Sequence, residues 1–111
     1  ALHEDQDHNI QNDLHLAAGD GNFELVKDYV EGRQGARKFP IASVDQDGNS
    51  CLHYAVRGGH EQIVKYLLEQ SASFDQLDAM GCTPLIEASK LGNVSIMKKL
   101  VAAKANVNVQ D

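Results

Sequence analysis

The sequence predicts an all-α solenoid, a row of helix–turn–helix units joined by hairpin-like turns, and three observations predict it. First, from Asp45 onward the chain repeats at a fixed step of 33 residues. Asp45 recurs as Asp78 and Asp111, Gly48 as Gly81, Leu52 as Leu85, Ala55 as Ala88, Gly59 as Gly92 and Ala72 as Ala105. A period of this size marks stacked units, none of which can bury its own apolar face. Second, apolar residues within a unit fall at i, i+1, i+4 and i+5, as in Ile63, Val64, Leu67 and Leu68, which is one stripe of a helix. Third, single apolar residues stand among Asp, Ser and Gly from Ala72 to Gly81, which reads as an extended turn between units.

Each element follows in order. Residues 1–11 form an acidic, polar leader of a composition that cannot build a core. The first unit, 12–44, is a degenerate copy: Leu14-His15-Leu16-Ala17-Ala18 parallels Leu52-His53-Tyr54-Ala55-Val56, but at a step of 38. Leu25, Val26, Tyr29 and Val30 then pair with Ile63, Val64, Leu67 and Leu68. The extra residues belong in the polar stretch Gly32–Lys38, as an insertion near 33–37 that breaks the apolar pattern. In the second unit, 45–77, a short stripe of Leu52, Ala55 and Val56 ends at Gly58-Gly59, and the longer stripe follows. Ala55 and Ala88 are small enough to let first helices approach closely. In the third unit, 78–111, Gly81 supplies a backbone angle that side chains resist. Thr83 caps the next helix, with Pro84 in the position where a missing donor does no harm. Each helix has only about two turns, too few to persist alone. Stability must come from stacking, with Leu52 and Leu85 buried between units.

Composition narrows the function classes. Apolar residues make up 42% and charged residues 23% of 111 residues, as in an ordinary globular domain. The net charge of −6 disfavours general nucleic-acid binding, which wants a basic face. No apolar run approaches the ~20 residues that span a bilayer, and the polar N-terminus is unlike a signal peptide. Cys51 and Cys82 fall two positions out of phase in successive units. Packed helices lie ~8–10 Å apart and a disulfide needs Cα atoms within ~7 Å, so free thiols in a reducing compartment, cytoplasmic or nuclear, are expected.

Asp78-Ala79-Met80-Gly81-Cys82-Thr83-Pro84-Leu85, then Gly92 and Ala105-Asn106-Val107-Asn108, resembles the ankyrin repeat. So does Asp45-Gln46-Asp47-Gly48-Asn49-Ser50-Cys51-Leu52-His53, then Gly59-His60. The resemblance covers about residues 12–111 and implies antiparallel helix pairs with a β-hairpin finger at each junction. It also implies a concave face of finger tips and first helices. His15 and His53 occupy a position that in this family hydrogen-bonds local backbone and hydroxyl groups, whereas Ile86 replaces them in the third unit. After the second helix the family usually has Gly in a left-handed cap; here stand Ser71 and Lys104, and strain is expected at Lys104, with Lys104→Gly raising the melting temperature. Asn12-Asp13 replaces the Gly and Thr-Pro signals in the first unit, which suits an N-terminal capping unit. The third unit keeps an internal pattern, so the array is expected to continue or to be covered by another chain.

Catalytic motifs are not found: the sequence has no P-loop, GxSxG elbow, HExxH or dinucleotide fingerprint. No catalytic residue, cofactor or metal ligand is assigned. His60-Glu61 lacks the second His of a zincin, and Cys51 beside His53 reads as structure. His3, Asp5, Asp7 and His8 read as a disordered leader before they read as a metal grip. Asn108, after Val107, resembles the hairpin asparagine that a cytosolic asparaginyl hydroxylase modifies in ankyrin repeats; Asp75, with Phe74 and Leu67, is its counterpart one unit earlier.

In ankyrin proteins the variable positions of fingers and first helices usually meet the partner. Carried onto this sequence, they are Leu16, Gly19 and Asp20; Gln46, Asp47, Asn49, Tyr54, Arg57 and Gly58; and Ala79, Met80, Cys82, Glu87, Lys90 and Leu91. The insertion, with Arg33, Arg37 and Lys38, is a second candidate, since loops on rigid scaffolds often carry recognition. The expectation is a non-catalytic interaction module that holds a protein partner in its concave face, without nucleic acid, membrane or small-molecule substrate. The rival is a regulatory or substrate-recruiting segment of a larger enzyme, channel or transferase. A free-standing small inhibitor is a third reading, which the uncapped third unit disfavours.

Overall fold

A computed structural model describes the backbone of residues 11–109 and the side chains of residues 11–104. Three helix pairs follow one another: α1 (Asp13–Asp20) with α2 (Phe23–Glu31), α3 (Cys51–Gly58) with α4 (Glu61–Glu69), and α5 (Pro84–Leu91) with α6 (Val94–Val109). The first helices stack α1 on α3 on α5, and the second helices stack α2 on α4 on α6. Between the two rows lies one aliphatic seam of Leu14, Val26, Leu52, Val56, Ile63, Leu67, Ile96 and Leu100, all essentially inaccessible to solvent. Ala17, Ala18, Ala55 and Ala88 are buried among them. A branched side chain at those positions would force the first helices apart.

Local chemistry starts and stops each short helix. Asn12, Ser50 and Thr83 cap α1, α3 and α5 by accepting from the N–H of His15, His53 and Ile86. Pro84 opens α5 where the sequence puts it. Gly21, Gly59 and Gly92 end the first helices in left-handed conformation, at φ between 71° and 82°.

The connections depart from regular hairpins. Asp45 Oδ1 accepts from the N–H of Asp47 and Asn49, and Asp78 Oδ1 from the N–H of Met80 and Cys82, each at 2.9 Å. Gly48 and Gly81, both at φ 78°, turn the chain at the tips. Among the described residues the fingers form no strand; a single antiparallel bridge, Val44 to Ser50, is their only ladder contact. A carboxylate that gathers its own turn leaves too few residues on each arm to pair. The second finger's Asp47 carbonyl accepts from Ala79 N–H at 2.7 Å, which locks neighbouring fingers together.

Two expectations need correction. Lys104 lies inside α6 and carries no left-handed strain; among the described non-glycine residues, only Gln34 (φ 55°) and Ser71 (φ 70°) have positive φ. Ser71 turns left-handed because Ala72 must fold back, its N–H donating to Leu67 O at 2.9 Å while its side chain is buried. The corresponding run Ala102-Ala103-Lys104-Ala105 holds strong helix formers and no glycine, so α6 continues to 16 residues. Leu85 is only partly buried, unlike Leu52, because among the described residues no helix row stacks on the far side of α5.

The insertion folds back onto its own unit. Arg33–Gly35 form a 3₁₀ turn, and Phe39 N–H donates to Tyr29 O at 2.9 Å. Phe39 is buried edge-on to the Tyr29 ring, with centroids 5.3 Å apart.

Candidate partner-binding surface

Asp45 and Asp78 fix the fingers, and their remaining oxygens set the chemistry of the face above the first helices. Asp45 Oδ2 accepts from the Tyr54 hydroxyl and from Asn49 Nδ2. Burial alone would raise the Asp45 carboxyl, yet the Tyr54 hydroxyl and the donors of Asn49 and Asp47 hold it below the usual carboxylate range. Asp78 is also held low, chiefly by the Cys82 N–H and against burial. The Tyr54 ring stacks on His15 with centroids 5.1 Å apart, and its hydroxyl accepts from Gln11 Nε2 at 3.0 Å. Gly19 lies against that ring, where a Cβ would stand in contact at 3.4 Å.

One step along the array the same positions carry different residues. Glu87 replaces Tyr54, and Arg57 stands where Gly19 does. Glu87 brings a second carboxylate toward Asp78, and one Arg57 nitrogen bridges both, 2.9 Å from Asp78 Oδ2 and 3.1 Å from Glu87 Oε1. Lys90 Nζ lies 3.1 Å from Cys82 Sγ. The ligand atoms of Asp78, Cys82 and Glu87 lie within 4.8 Å of one another, a spacing that could hold a metal ion. Two cations already occupy that trio, Arg57 on the carboxylates and Lys90 on the sulfur.

The buried histidines tie this face to the fold. Each Nδ1 accepts from the N–H of its helix cap, Asn12 or Ser50. Each Nε2 is then the protonated nitrogen and donates to the next connection: His15 to Ser43 O at 3.1 Å and His53 to Cys82 O at 2.9 Å. Burial lowers both imidazoles from their ordinary value. Ile86, at the equivalent place in α5, is exposed.

The sequence-selected residues divide three ways. Leu16, Asp20, Gln46, Asp47, Arg57, Gly58, Ala79, Met80, Lys90 and Leu91 are exposed, Met80 most of all at 84%. Gly19, Tyr54 and Glu87 are half-buried, Tyr54 and Glu87 within the networks above. Asn49 (9% exposed) and Cys82 (5%) point inward, which corrects their expected place on the open face: each follows the tip glycine on the arm that the finger carboxylate draws in. In the insertion, Arg33 is drawn to Asp28 (3.6 Å) and Glu24 (3.9 Å), and Arg37 lies 4.8 Å over the Phe39 ring. Lys38 is exposed. Asn108 falls in the helical backbone of α6 and not on a finger, and its side chain lies outside the described residues. His3, Asp5, Asp7 and His8 also lie outside them. Arg57's bridge to two acids was missed in the sequence. Its signal is faint: an Arg where the previous unit has Gly, one step before a Glu where the previous unit has Tyr.

A family model described as "Ankyrin repeats (3 copies)" matches residues 14–111. The chain belongs to the ankyrin repeat family. Ankyrin repeats are protein-interaction modules, and the relatives that this chain matches are much longer proteins. The chain is 31% identical over 105 residues to tyrosine-protein kinase Shark of Drosophila melanogaster, a match covering 95% of this chain and 11% of the kinase. It is 26% identical over 106 residues to transient receptor potential cation channel subfamily A member 1 of the same organism, covering 96% of the chain and 9% of the channel. Sex-determining protein fem-1 of Caenorhabditis elegans is 34% identical over 112 residues, with 92% of this chain and 17% of that protein covered. The ankyrin chain therefore spans less than a fifth of the length of these relatives. No helix among its described residues is long and apolar enough to cross a membrane.

Proposed function

We propose that this ankyrin chain is a non-catalytic interaction module that presents the face of its finger tips and first helices to a protein partner. One observation carries the reading: Met80 stands 84% exposed on a finger whose backbone is tied by Asp78 and by the preceding finger. An apolar side chain held out on a rigid turn is suited to anchor a partner, because little ordering remains to oppose binding. Leu16 and Leu91, both exposed, extend the apolar contact, with Asp20, Gln46, Asp47, Arg57, Glu87 and Lys90 as its polar rim. Buried, free Cys51 and Cys82 support a reducing compartment, cytosol or nucleus. The insertion is the secondary contact, through Lys38 and the outer edges of Arg33 and Arg37.

A second reading makes these repeats the regulatory or substrate-recruiting segment of a longer enzyme, channel or transferase. The kinase and the channel among the relatives support it.

The test is partner capture by the intact parent protein, quantified for wild type, Met80→Ala, Leu91→Ala and a deletion of residues 33–37. Loss of about tenfold or more in affinity on Met80→Ala, with unchanged melting, is expected for an anchor side chain. Retained affinity in both point variants and loss in the deletion would move the site to the insertion.

A further inference from the structure

We propose that Cys82 and Lys90 form a peroxide-responsive, reversible covalent cross-link that staples the third finger to the far end of α5.

Both thiols of the chain are buried, Cys82 at 5% exposure, but their neighbours differ. Cys51, in the first turn of α3, is buried, donates to Ile41 O at 3.6 Å, and is pushed up by burial to about 12. It is an inert core thiol. Cys82 immediately precedes the Thr83 cap of α5, and Lys90 reaches back along that helix to place Nζ 3.1 Å from its sulfur. Side chains of helical residues lean toward the N-terminus, so the reach follows from the helix direction. The carboxylates of Asp78 and Glu87 lie within 4.8 Å of the sulfur, and Arg57 compensates both. The pair thus holds a nucleophilic sulfur, a proton donor and a nitrogen in direct contact.

Contact with Cys82 raises Lys90 above the ordinary ammonium range, so in the reduced protein its nitrogen is a proton donor. Oxidation changes that role. The Cys82 sulfur, its proton lost to solvent, attacks one oxygen of hydrogen peroxide and the O–O bond breaks. The departing hydroxide takes a proton from Lys90, leaving a sulfenic acid, water and a neutral amine. Lys90 Nζ then attacks the sulfur: the S–N bond forms, the S–O bond breaks, and the hydroxyl leaves as water with a proton from the amine. One thiol, one ammonium and one peroxide give one sulfenamide, two waters and one proton. Sulfenic acids condense with backbone nitrogen in the same way. The product removes the charge of Lys90 from the face and ties the finger's inner arm to the end of α5. A thiol reductant reverses it by attack on the sulfur.

The test is hydrogen peroxide treatment of the purified chain, followed by intact-mass measurement and peptide mapping. The expected product is lighter by two hydrogens, is restored by dithiothreitol, and maps to Cys82 joined to Lys90 with Cys51 still alkylatable. A Cys51→Ser variant should give the same mass change, which separates the cross-link from a Cys51–Cys82 disulfide. Lys90→Arg should lose the mass change and leave a Cys82 sulfenic acid that dimedone traps. Oxidation of Cys82 only to its oxyacids in the wild type, a mass loss that vanishes in Cys51→Ser, or a Cys82 thiol that survives doses oxidising free cysteine would each overturn the proposal.

Discussion

Removing Arg57 while keeping its bulk isolates the network between the second and third units. In Arg57→Met, Asp78 keeps the N–H donors of Met80 and Cys82, so its charge is not orphaned. Glu87 loses its cation and faces Asp78 across the space that the guanidinium filled. Hydrogen bonds to charged groups contribute roughly 1.5–3 kcal/mol each when buried. Arg57 is about one-third exposed while the Asp78 side chain is almost fully buried, so solvent screens part of this. A net loss of about 2 kcal/mol results, some 8–10 °C in melting temperature for a domain of this size. Chemical denaturation of wild type, Arg57→Met, Glu87→Gln and the double variant measures it as a cycle. Glu87→Gln should recover part of the loss in the double variant, since it removes the like charge. A single-variant loss below about 0.5 kcal/mol, or strict additivity of the two, would refute the argument that Arg57 holds the carboxylates together.

Three further outcomes follow from the same structure. Ser71→Gly should stabilise by about 1 kcal/mol by relieving a left-handed serine, whereas Lys104→Gly should destabilise by a similar amount as a glycine inside α6; opposite signs in thermal melts check the pair. Leu52→Ala should cost about 2–5 kcal/mol and Leu85→Ala clearly less, because only Leu52 is enclosed on all sides; equal losses in urea would sink that account. Stability should fall as pH drops below 6.5: the native His15 and His53 are lowered, so the unfolded chain takes up protons first. The charged groups around them are Asp45 near His15 and Arg57, Asp78 and Glu87 near His53; the lowered carboxyls of Asp45 and Asp78 stay ionised in that window. The urea midpoint at pH 5 against pH 7.5 measures the effect, and His53→Gln should flatten it. Asp45 and Asp78 act only in stronger acid, where their lowered carboxyls protonate.

The helix pairs were legible because their signals are local or strictly periodic. Thr83-Pro84, the glycines after each first helix and the paired stripes each name an element within a few residues. His15 and His53 were read rightly for the same reason, as their partners lie three residues away and at the next connection. Leu85 was misread because its burial depends on what stacks against α5, which no spacing within the third unit records. Lys104 was misread because register predicted a cap where the Ala-rich run favoured more helix. Asn49 and Cys82 look variable in sequence, but the finger carboxylate accepts from their own N–H and turns them inward. Arg57 contacts residues 21 and 30 positions away, beyond any local pattern.

The exchange of Tyr54 and Gly19 for Glu87 and Arg57 shows how one backbone supports different faces. Every finger needs its Asp, since that carboxylate closes the turn. The carboxylate's outer oxygen must then be satisfied from the first helices, and two solutions occur here side by side. Between the first two units an aromatic hydroxyl supplies the donor, and a glycine lies against its ring. Between the second and third a guanidinium supplies it, and an added glutamate uses the remaining charge. The first solution presents an uncharged ring edge; the second presents an ion network with Lys90 beside it. A partner that crosses both junctions therefore meets two different chemistries at a fixed spacing. Exchanging them as a block, Tyr54→Glu with Gly19→Arg, tests whether the pairs are interchangeable. The double variant should stay folded while Tyr54→Glu alone sets an unpaired carboxylate against Asp45 and melts lower. If the single and double variants melt together, the two solutions are not equivalent answers to one constraint.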